Sequence, residues 1–398
     1  MATSNKKKSS NSNKTTKKVV KKTTKAVTKA AKKNPKIFII ILVILLVLAL
    51  GAVGIYFLMN RNNDGGSSSH EHSSSHVHEI ADSAMSINFL ELGNKYTGDS
   101  TFIKAGDVDI LIDAGSRQNS AGTISDFIDQ YCSDGKLEYV IATHAHQDHI
   151  AGFVGTGSIP GIFDRYQIDT IIDFARTDVS TSVYKNYISK RDAKMASGTK
   201  HYTALQCWNE TDGAQRVYTI SDGIEMEILY QRYYEEATSD ENNYSVCVMF
   251  NHGDNQYLFT GDLEKDGEAS LATKNVLPQV KLFKGGHHGS YTANTDALLS
   301  VIKPEVVCIC CCAGSDEYTS NPDRMFPAQD AINRIGKYTD QVFVTSVVSD
   351  NEDGFTSMNG NITFYSENGL EYSVTGSNNN TILKETDWFK EHRTWPAS

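Results

Sequence analysis

Three histidines and one aspartate within six consecutive residues constrain this chain more than any other feature of its sequence. His144, His146, Asp148 and His149 follow residues 137–142, an apolar run that predicts a strand. Imidazole and carboxylate groups suit borderline-hard divalent ions such as zinc and manganese. On a loop that leaves a strand, alternate side chains can point at two neighbouring metal positions, whereas a single structural ion would not need four ligands so close together. The cluster therefore predicts a metal site at the end of a strand.

The N-terminal part of the chain has a different character. Residues 1–36 contain thirteen lysines, no arginine and no acidic residue, and residues 37–58 form a run of 22 without a charge. About 20 apolar residues cross a bilayer as a helix. A cleaved signal peptide has a shorter basic region, an apolar core of about 7–15 residues and a small-x-small site, which residues 56–60 lack. We predict a basic cytoplasmic tail (1–36) and a transmembrane signal anchor (37–58) in the cell membrane, with the remainder extracellular by the positive-inside rule.

Residues 59–83 are rich in serine, glycine and asparagine and contain His70, His72, His76 and His78. A histidine cluster can bind metal. Nothing in so polar a segment fixes the geometry of a tight site, however, and we interpret it as a flexible linker. One catalytic domain over residues 84–398 is the simplest account of the rest, because the sequence shows no internal repeat and no second break in composition.

The part of the chain after Lys36 is acidic, with 25 basic and 48 acidic residues and a net charge of −23. Proteins that hold a polyanion usually present a basic stripe, so this balance argues against a processive nuclease. A local patch of Lys281, Lys284 and the residues near 185–200 could still guide one strand of nucleic acid. The lysine tail could contact anionic lipid, although such tails more often only set topology. No protein partner follows from the sequence.

From residue 85 onward, short apolar runs broken by glycine alternate with segments of helical spacing, which predicts an α/β fold. The predicted strands are residues 88–92, 100–104, 108–112, 137–142, 168–174, 224–230, 245–250, 257–260, 279–283, 306–311, 342–347, 361–365 and 371–374. The predicted helices are residues 123–131, 182–194, 294–302 and 328–337. Four of the seven cysteines lie in one predicted strand, Cys308 to Cys312, and no second cysteine pair exists for a thiolate metal site, so we interpret the cysteines as packing residues.

The histidine cluster resembles the signature of the metallo-β-lactamase superfamily, and the segments around it resemble the ComEC-like competence branch of that superfamily. This branch includes the terminal domain of competence DNA-uptake proteins and stand-alone exported hydrolases. The similar segments are Gly98-Asp99-Ser100-Thr101-Phe102-Ile103, Leu111-Ile112-Asp113-Ala114-Gly115, Asn242-Asn243-Tyr244-Ser245-Val246, Leu258-Phe259-Thr260-Gly261-Asp262, Lys284-Gly285-Gly286-His287-His288-Gly289-Ser290 and residues 356–374. The resemblance implies an α/β fold of the αββα metallo-β-lactamase sandwich type, here preceded by one N-terminal transmembrane helix.

The resemblance also implies two divalent metal ions, zinc or manganese, that share a bridging carboxylate. The implied ligands are His144 and His146 for the first ion, Asp148, His149 and His288 for the second, and Asp262 for both. Two ions about 3.5–4 Å apart can share a hydroxide, lower its pKa and stabilise the oxyanions of an in-line displacement.

Three residues are implied to act in catalysis. Asp148 acts as a ligand of the second ion, and His287 is free to contact a phosphate or to protonate a leaving group. Asp113 is interpreted as a carboxylate that orients a ligand histidine, with an ordinary turn residue at a strand end as the alternative. The choice of His288 over His287 as the ligand stays open on the sequence.

The sequence departs from the superfamily pattern at two places. Many members have a further metal-binding histidine before the bridging aspartate, but only His201 and His252 lie in that interval. His201 is in a polar stretch after a predicted helix and His252 is in a predicted turn, so we expect the first ion to have fewer protein ligands and to bind more weakly. A His-Pro pair common near the end of this branch is here Phe326-Pro327, which removes one imidazole that could contact substrate.

Phosphodiester cleavage, with DNA as the suspected substrate of the branch, is the function that the resemblance favours. One alternative is an exported hydrolase that acts on a phosphorylcholine or another cell-envelope ester. A second alternative is a catalytically idle anchored domain that binds an envelope partner. A β-lactamase proper is disfavoured, because the Thr-Gly-Asp and His-His-Gly-Ser elements resemble the nuclease-like branch.

Overall fold

The computed structural model of the chain describes residues 78–397. The predicted tail, the predicted transmembrane anchor and most of the predicted linker lie outside these residues. Within residues 78–397, no helix has the length and hydrophobicity needed to cross a membrane. The first described residues already contact the domain, since the His78 backbone N–H donates to the Gln130 carbonyl and His252 Nε2 donates to the Ser83 carbonyl.

Two eight-stranded sheets form the centre of the described residues. The strands of the first sheet are β1 (Met85–Phe89), β2 (Thr101–Ala105), β3 (Val108–Ile112), β4 (Lys136–Ile141), β5 (Gln167–Asp173), β6 (Lys200–Thr203), β15 (Ile362–Ser366) and β16 (Tyr372–Gly376). The strands of the second sheet are β7 (Val217–Ser221), β8 (Ile224–Leu229), β9 (Cys247–His252), β10 (Asn255–Phe259), β11 (Leu282–Lys284), β12 (Val306–Ala313), β13 (Gln341–Val348) and β14 (Phe355–Ser357).

The strand orders are β16-β15-β1-β2-β3-β4-β5-β6 in the first sheet and β14-β13-β12-β11-β10-β9-β8-β7 in the second. Strands β1 to β3 form an antiparallel meander, strands β3 to β6 are parallel, and the C-terminal hairpin β15–β16 pairs with β1. In the second sheet, β10 to β13 are parallel and the remaining pairs are antiparallel. Neighbouring parallel strands end at the same edge of a sheet, so the loops after β3 and β4 lie together, as do those after β10 and β11.

The helices of the described chain are short. They are α1 (Ser120–Ile128), α2 (Gln147–Val154), α3 (Ile162–Arg165), α4 (Ser182–Ala196), α5 (Ala204–Asn209), α6 (Lys265–Lys274), α7 (Asp296–Ile302), α8 (Gln329–Ile335) and α9 (Asp387–His392). Two single 3-10 turns, Glu241–Tyr244 and Gly286–Gly289, lie next to the candidate site.

Residues of β12 alternate between two hydrophobic cores. Cys308 and Cys310 belong to the core that includes both sheets and helices α1 to α5, whereas Val307, Ile309 and Cys311 belong to the core under helices α6 to α9. A parallel strand that is buried on both faces is a continuous apolar run, which explains why this strand has no charged or hydroxyl residue. All seven cysteines are buried and unpaired. The described residues thus form a mixed α/β fold with two sheets, consistent with the predicted sandwich.

All thirteen predicted strands are present, with ends that differ by up to three residues. The sequence missed β6, β7 and β14, all of which lie at sheet edges and have short or partly exposed patterns. The helices that it missed are α2, α3, α5, α6 and α9. Helix α2 was missed because the metal-ligand pattern of residues 144–149 hides the apolar positions of the helix that begins at Gln147. A half-exposed edge strand gives a weak period-two signal, so only its neighbours in the sheet identify it.

Candidate metal centre

The histidine cluster bridges a loop and a helix. His144 and His146 lie in the loop after β4, whereas Asp148 and His149 lie in the first turn of α2. The prediction that all four side chains lie on a loop is therefore wrong. Asp148 is favoured at this place because the first turn of a helix stabilises negative charge. The change from loop to helix turns the two pairs of side chains in different directions.

Asp113 holds both the loop after β4 and the His149 ring by hydrogen bonds. It follows β3 with a φ of 59°, a left-handed conformation that a non-glycine residue rarely adopts. Its Oδ1 accepts the Thr143 backbone N–H at 2.7 Å, and its Oδ2 accepts from Thr143 Oγ1 and from His149 Nδ1, both at 2.7 Å. Because Nδ1 of His149 is held in this way, its Nε2 faces the opposite side, 3.1 Å from Asp262 Oδ2.

His288 is held in a parallel manner. Its Nδ1 donates to the Cys310 carbonyl at 2.9 Å and lies 3.2 Å from Asp99 Oδ1. Its Nε2 lies 3.2 Å from Asp262 Oδ2 and 3.5 Å from Asp148 Oδ2. Both His287 and His288 have positive φ, at 46° and 53°, and this strained turn places the second imidazole in the interior. The structure thus brings four of the predicted ligands for the second ion together.

The donors at this position suit a divalent cation. His149 Nε2, His288 Nε2 and Asp262 Oδ1 are buried and form no hydrogen bond of good geometry among the described residues, although both nitrogens lie 3.1–3.2 Å from Asp262 Oδ2. Buried polar groups that are poorly paired are costly, so three of them in one place favour a bound group. Burial alone would raise the pKa of Asp262, but the charges of His149 and His288 hold it well below its ordinary value. An anionic carboxylate beside two imidazole nitrogens is a donor set that zinc and manganese accept.

Asp99 and Lys284 belong to this centre, although the sequence gave neither of them a role there. Donor atoms of Asp99, His149, Asp262 and His288 all lie within 4.8 Å of one another. Asp99 nevertheless faces Nδ1 of His288, behind the ring, and forms a buried ion pair with Lys284. Lys284 Nζ also lies 3.7 Å from Asp262 Oδ1. Asp99 therefore orients the histidine from behind, as Asp113 does for His149.

The buried position of Lys284 overturns one interpretation of the sequence. We predicted that it could belong to a basic patch for nucleic acid, but its side chain is only 4% exposed and is paired with Asp99. Burial would lower the pKa of Lys284, yet Asp99 and Asp262 raise it well above its ordinary value. The signal that could have been read is a lysine at the end of an apolar strand, directly before the two glycines and two histidines of residues 285–288.

His144 and His146 lie together beside this group. His144 Nε2 is 3.0 Å from His146 Nδ1, and the ring centroids of His144 and His149 are 4.1 Å apart. Burial, together with the neighbouring imidazoles, lowers the pKa of His144 well below its ordinary value, so this ring is neutral and able to bind a metal. Within residues 78–397 no third histidine joins the pair, since His201 pairs with Asp173 and His252 with the Ser83 carbonyl.

His287 lies at the wall of a cavity of about 750 Å³ that His146, Asp148 and Asp262 also line. Its Nδ1 is 3.3 Å from Glu264 Oε1, and its Nε2 is 3.8 Å from Asp262 Oδ2. Burial opposes the charge of Glu264, but hydrogen bonds from His287 and other neighbours lower the pKa of Glu264 to about 2. His287 is therefore backed by an anionic carboxylate and presents its other nitrogen to the cavity.

Aromatic and cationic side chains form the outer part of the cavity. The Tyr318 hydroxyl donates to Asp148 Oδ2 at 2.7 Å, and the Phe326 ring lies 5.7 Å from those of His287 and His288. The Arg324 guanidinium lies 4.5 Å above the Tyr291 ring. No motif in the sequence marks Tyr318, which lies in a loop distant from the histidine cluster, whereas Tyr291 directly follows the His-His-Gly-Ser element of residues 287–290.

Two glycines allow the loops to approach so closely. A Cβ at Gly115 would lie 1.5 Å from the Asp148 carbonyl oxygen, and a Cβ at Gly261 would lie 2.8 Å from Thr143 Cβ. Gly261 also has a φ of +53°. The glycines of the Asp-Ala-Gly and Thr-Gly-Asp segments are therefore needed to pack the loops of the two sheets against the histidine loop.

Comparisons with known proteins match the segment that carries the histidine cluster. Residues 93–155 match the family model of the metallo-beta-lactamase superfamily. Recombination protein 2 of Haemophilus influenzae is 30% identical over 125 residues, which are 31% of this chain and 14% of that protein. Competence protein ComA of Neisseria gonorrhoeae is 27% identical over 173 residues, which are 43% of this chain and 19% of that protein. The matched segments thus span less than a fifth of each relative.

Among solved structures, the metallo-beta-lactamase fold protein YhfI of Bacillus subtilis is 11% identical, with a TM-score of 0.36 over 71% of this chain and 100% of that one. The family match over the histidine cluster and the similarity to two competence-related proteins confirm the resemblance that the motifs indicated. Residues 93–155 thus match the metallo-β-lactamase superfamily, and the curated relatives include a competence protein, as the ComEC-like resemblance predicted.

Proposed function

We propose that this chain is a metal-dependent hydrolase that cleaves phosphodiester bonds. The observation that carries the proposal is the convergence of His149 Nε2, His288 Nε2 and the Asp262 carboxylate, without a hydrogen bond of good geometry to either nitrogen among the described residues, beside a cavity of about 750 Å³. Ionisable groups are costly to bury unless they bind or react with something. The match of residues 93–155 to the metallo-beta-lactamase superfamily supports the same proposal.

The proposed metal ligands divide between two positions. His144 and His146 serve the first ion, Asp148, His149 and His288 serve the second, and Asp262 serves both. When bound, two divalent ions, zinc or manganese, would polarise the phosphoryl group and lower the pKa of a water molecule. Asp113 accepts from Nδ1 of His149, and the Cys310 carbonyl, with Asp99 beside it, accepts from Nδ1 of His288, so that each ring keeps the tautomer that leaves Nε2 free.

His287 is the proposed proton donor to the leaving oxygen. Glu264 Oε1 lies 3.3 Å from its Nδ1 and orients the ring, so that Nε2 is on the side of Asp262 and the cavity. A side chain that delivers a proton in this way contributes about 10²–10⁴-fold to the rate. Proton transfer to the leaving oxygen matters most when the leaving group is an alkoxide, as in a nucleic acid.

Arg324 supports a phosphodiester substrate over a neutral ester. It lines the cavity, it is exposed, and it forms no ion pair with a described residue. An arginine fork matches the geometry of a phosphate. The chain after Lys36 has a net charge of −23, which would repel a long polyanion. Arg324, at the cavity wall, can instead attract a single anionic group of a substrate.

Two matched histidine variants test the proposal that hydrolysis depends on a metal. His146→Ala removes a proposed ligand, whereas His201→Ala removes a partly buried histidine that pairs with Asp173 outside the cavity. We expect the purified full-length chain to contain zinc or manganese and to hydrolyse bis-p-nitrophenyl phosphate, with activity lost in His146→Ala and retained in His201→Ala. A chain without bound metal, or equal activity in the two variants, would refute the proposal and favour an idle binding domain.

The substrate class is tested by parallel assays on bis-p-nitrophenyl phosphate, single-stranded DNA, p-nitrophenyl phosphorylcholine and a cephalosporin. Three of these substrates are phosphodiesters, and of these we expect bis-p-nitrophenyl phosphate and single-stranded DNA to be hydrolysed. Arg324→Ala should raise KM for these substrates with little change in kcat. Hydrolysis of p-nitrophenyl phosphorylcholine alone would support the envelope-ester alternative, and hydrolysis of the cephalosporin alone would overturn both.

We also propose that the hydrolase is anchored in the cell membrane through residues 37–58, with the lysine-rich tail in the cytoplasm and the catalytic domain outside. The support is the charge-free run of 22 residues behind thirteen lysines. Protease added to intact cells should degrade the domain and leave residues 1–36 protected. Recovery of the full-length chain in the soluble fraction would contradict the anchor. Binding of residues 1–36 to vesicles that contain phosphatidylserine, but not to neutral vesicles, would test the lipid contact.

A further inference from the structure

Asn242 is a buried polar residue in a turn that contacts the histidine loop. It belongs to the turn Glu241–Tyr244, which leads into β9, and it is 9% exposed. It lines the same cavity as His146 and Asp262. Its side chain is therefore a buried polar group at the wall of the cavity that His146 also lines.

The orientation of the Asn242 amide is fixed by Glu264. Nδ2 of Asn242 donates to Glu264 Oε1 at 3.4 Å, and a carboxylate can only accept, so the nitrogen and oxygen of the amide are assigned. The other end of the amide, Oδ1, is buried and has no hydrogen-bond partner among the described residues. An unpaired buried carbonyl oxygen that faces a metal-binding cavity requires a donor or a cation.

The turn that bears Asn242 is tied to both loops of the site. Glu241 Oε1 accepts from the Ala145 backbone N–H at 3.3 Å, within the histidine loop. Ser245 Oγ accepts from the Asp262 backbone N–H at 3.1 Å and lies 3.4 Å from His144 Nδ1. Because both loops bind this turn, the position of Asn242 relative to the first metal position is set by the fold rather than by a flexible side chain.

We propose that Asn242 Oδ1 is the oxygen donor that completes the first metal position beside His144 and His146, in place of a third histidine. This inference rests on the proposed metal-dependent function. An amide oxygen is an uncharged ligand and binds a divalent ion more weakly than imidazole or carboxylate does, and oxygen favours manganese and other hard ions relative to zinc. The first position should therefore exchange its ion more readily than the second and should accept manganese.

The test measures metal binding rather than activity. The full-length chain is freed of metal with a chelator and titrated with Mn²⁺ and, separately, with Zn²⁺, and bound metal is counted after rapid desalting. Three variants are compared with the wild type. Asn242→Leu keeps the size without the donor, Asn242→Asp keeps an oxygen at the same place, and Asn251→Leu changes a partly buried asparagine of β9 outside the cavity. Thermal unfolding of each metal-free variant reports whether it folds.

We expect the wild type to bind two ions, one more weakly. Asn242→Leu should lose the weaker ion or bind it at least about 10-fold less tightly, while its tighter ion and metal-free stability are unchanged. Asn242→Asp should restore the second ion, and Asn251→Leu should match the wild type. Two ions of unchanged affinity in Asn242→Leu would overturn the role of Asn242, even if KM rises, which would indicate a substrate contact. A wild type that binds no metal would instead refute the proposed function.

Discussion

Replacement of Lys284 by methionine tests whether the buried ion pair of Lys284 and Asp99 stabilises the fold. Lys284 and Asp99 form an ion pair in which both side chains are only 4% exposed. Methionine keeps much of the length of the lysine and removes its charge, so Asp99 is left in the interior without its main cationic partner. Removal of one member of a buried ion pair typically costs about 3–5 kcal/mol. We expect the free energy of unfolding of the metal-free chain to fall by about that amount.

This loss converts into a measurable change of melting temperature. For a domain of about 320 residues, an unfolding entropy of about 2.1 cal/mol/K per residue makes 1 kcal/mol equivalent to about 1.5 °C, so the expected decrease is about 4–7 °C. Thermal unfolding is followed by circular dichroism in the presence of EDTA. The matched control is Lys281→Met, three residues upstream. Lys281 pairs with Glu305, but the side chains of this pair are 34% and 47% exposed, and such pairs contribute at most about 1 kcal/mol.

Two further measurements test whether the lost stability comes from the buried Lys284–Asp99 pair. In Asp99→Asn/Lys284→Met neither buried charge remains, so most of the lost stability should return. The pKa of Asp99 is lowered in the wild type because Lys284, His288 and His149 outweigh its burial, so its contribution to stability is lost as the pH falls below its ordinary value. In Lys284→Met the carboxyl can protonate, and the difference from wild type should shrink toward pH 4. A loss below about 1 kcal/mol, or a double variant no more stable than Lys284→Met, would refute the role of this pair.

Three other changes have defined outcomes. Asp113→Asn should lower the affinity for zinc about 10–100-fold, because His149 loses the acceptor that sets its tautomer; an unchanged zinc titration would contradict this role. Glu264→Gln should lower kcat about 10-fold or more for a dinucleotide and less for bis-p-nitrophenyl phosphate, because nitrophenolate leaves without a proton; equal losses would argue against His287 as the acid. Gly261→Ala should lower the free energy of unfolding in urea by about 1–3 kcal/mol, since a side chain at φ +53° is strained and would contact Thr143; unchanged stability would show that the loops do not need this close approach.

Local sequence determined much of the fold and the chemical type of the site. The apolar run of residues 306–311 predicted a buried strand, and the structure has β12 there, buried on both faces. The spacing of His144, His146, Asp148 and His149 predicted a metal site, and their chemistry depends on residue type alone. Resemblance then pointed to Asp262 and His288 as partners, and the structure brings both next to His149.

What only the tertiary structure decided is which buried charges face one another. Asp99 and Lys284 are far apart in sequence, and the position of Lys284 at the end of an apolar strand does not say which carboxylate it pairs with, so it was assigned to the surface. Asn242 lies in a segment that the resemblance singled out, but the sequence gave it no role, and no motif marks Tyr318. A sequence motif indicates which chemical groups a site contains. Whether those groups are buried and which of them pair depends on how the strand ends of the two sheets meet, and these contacts form only when the chain folds.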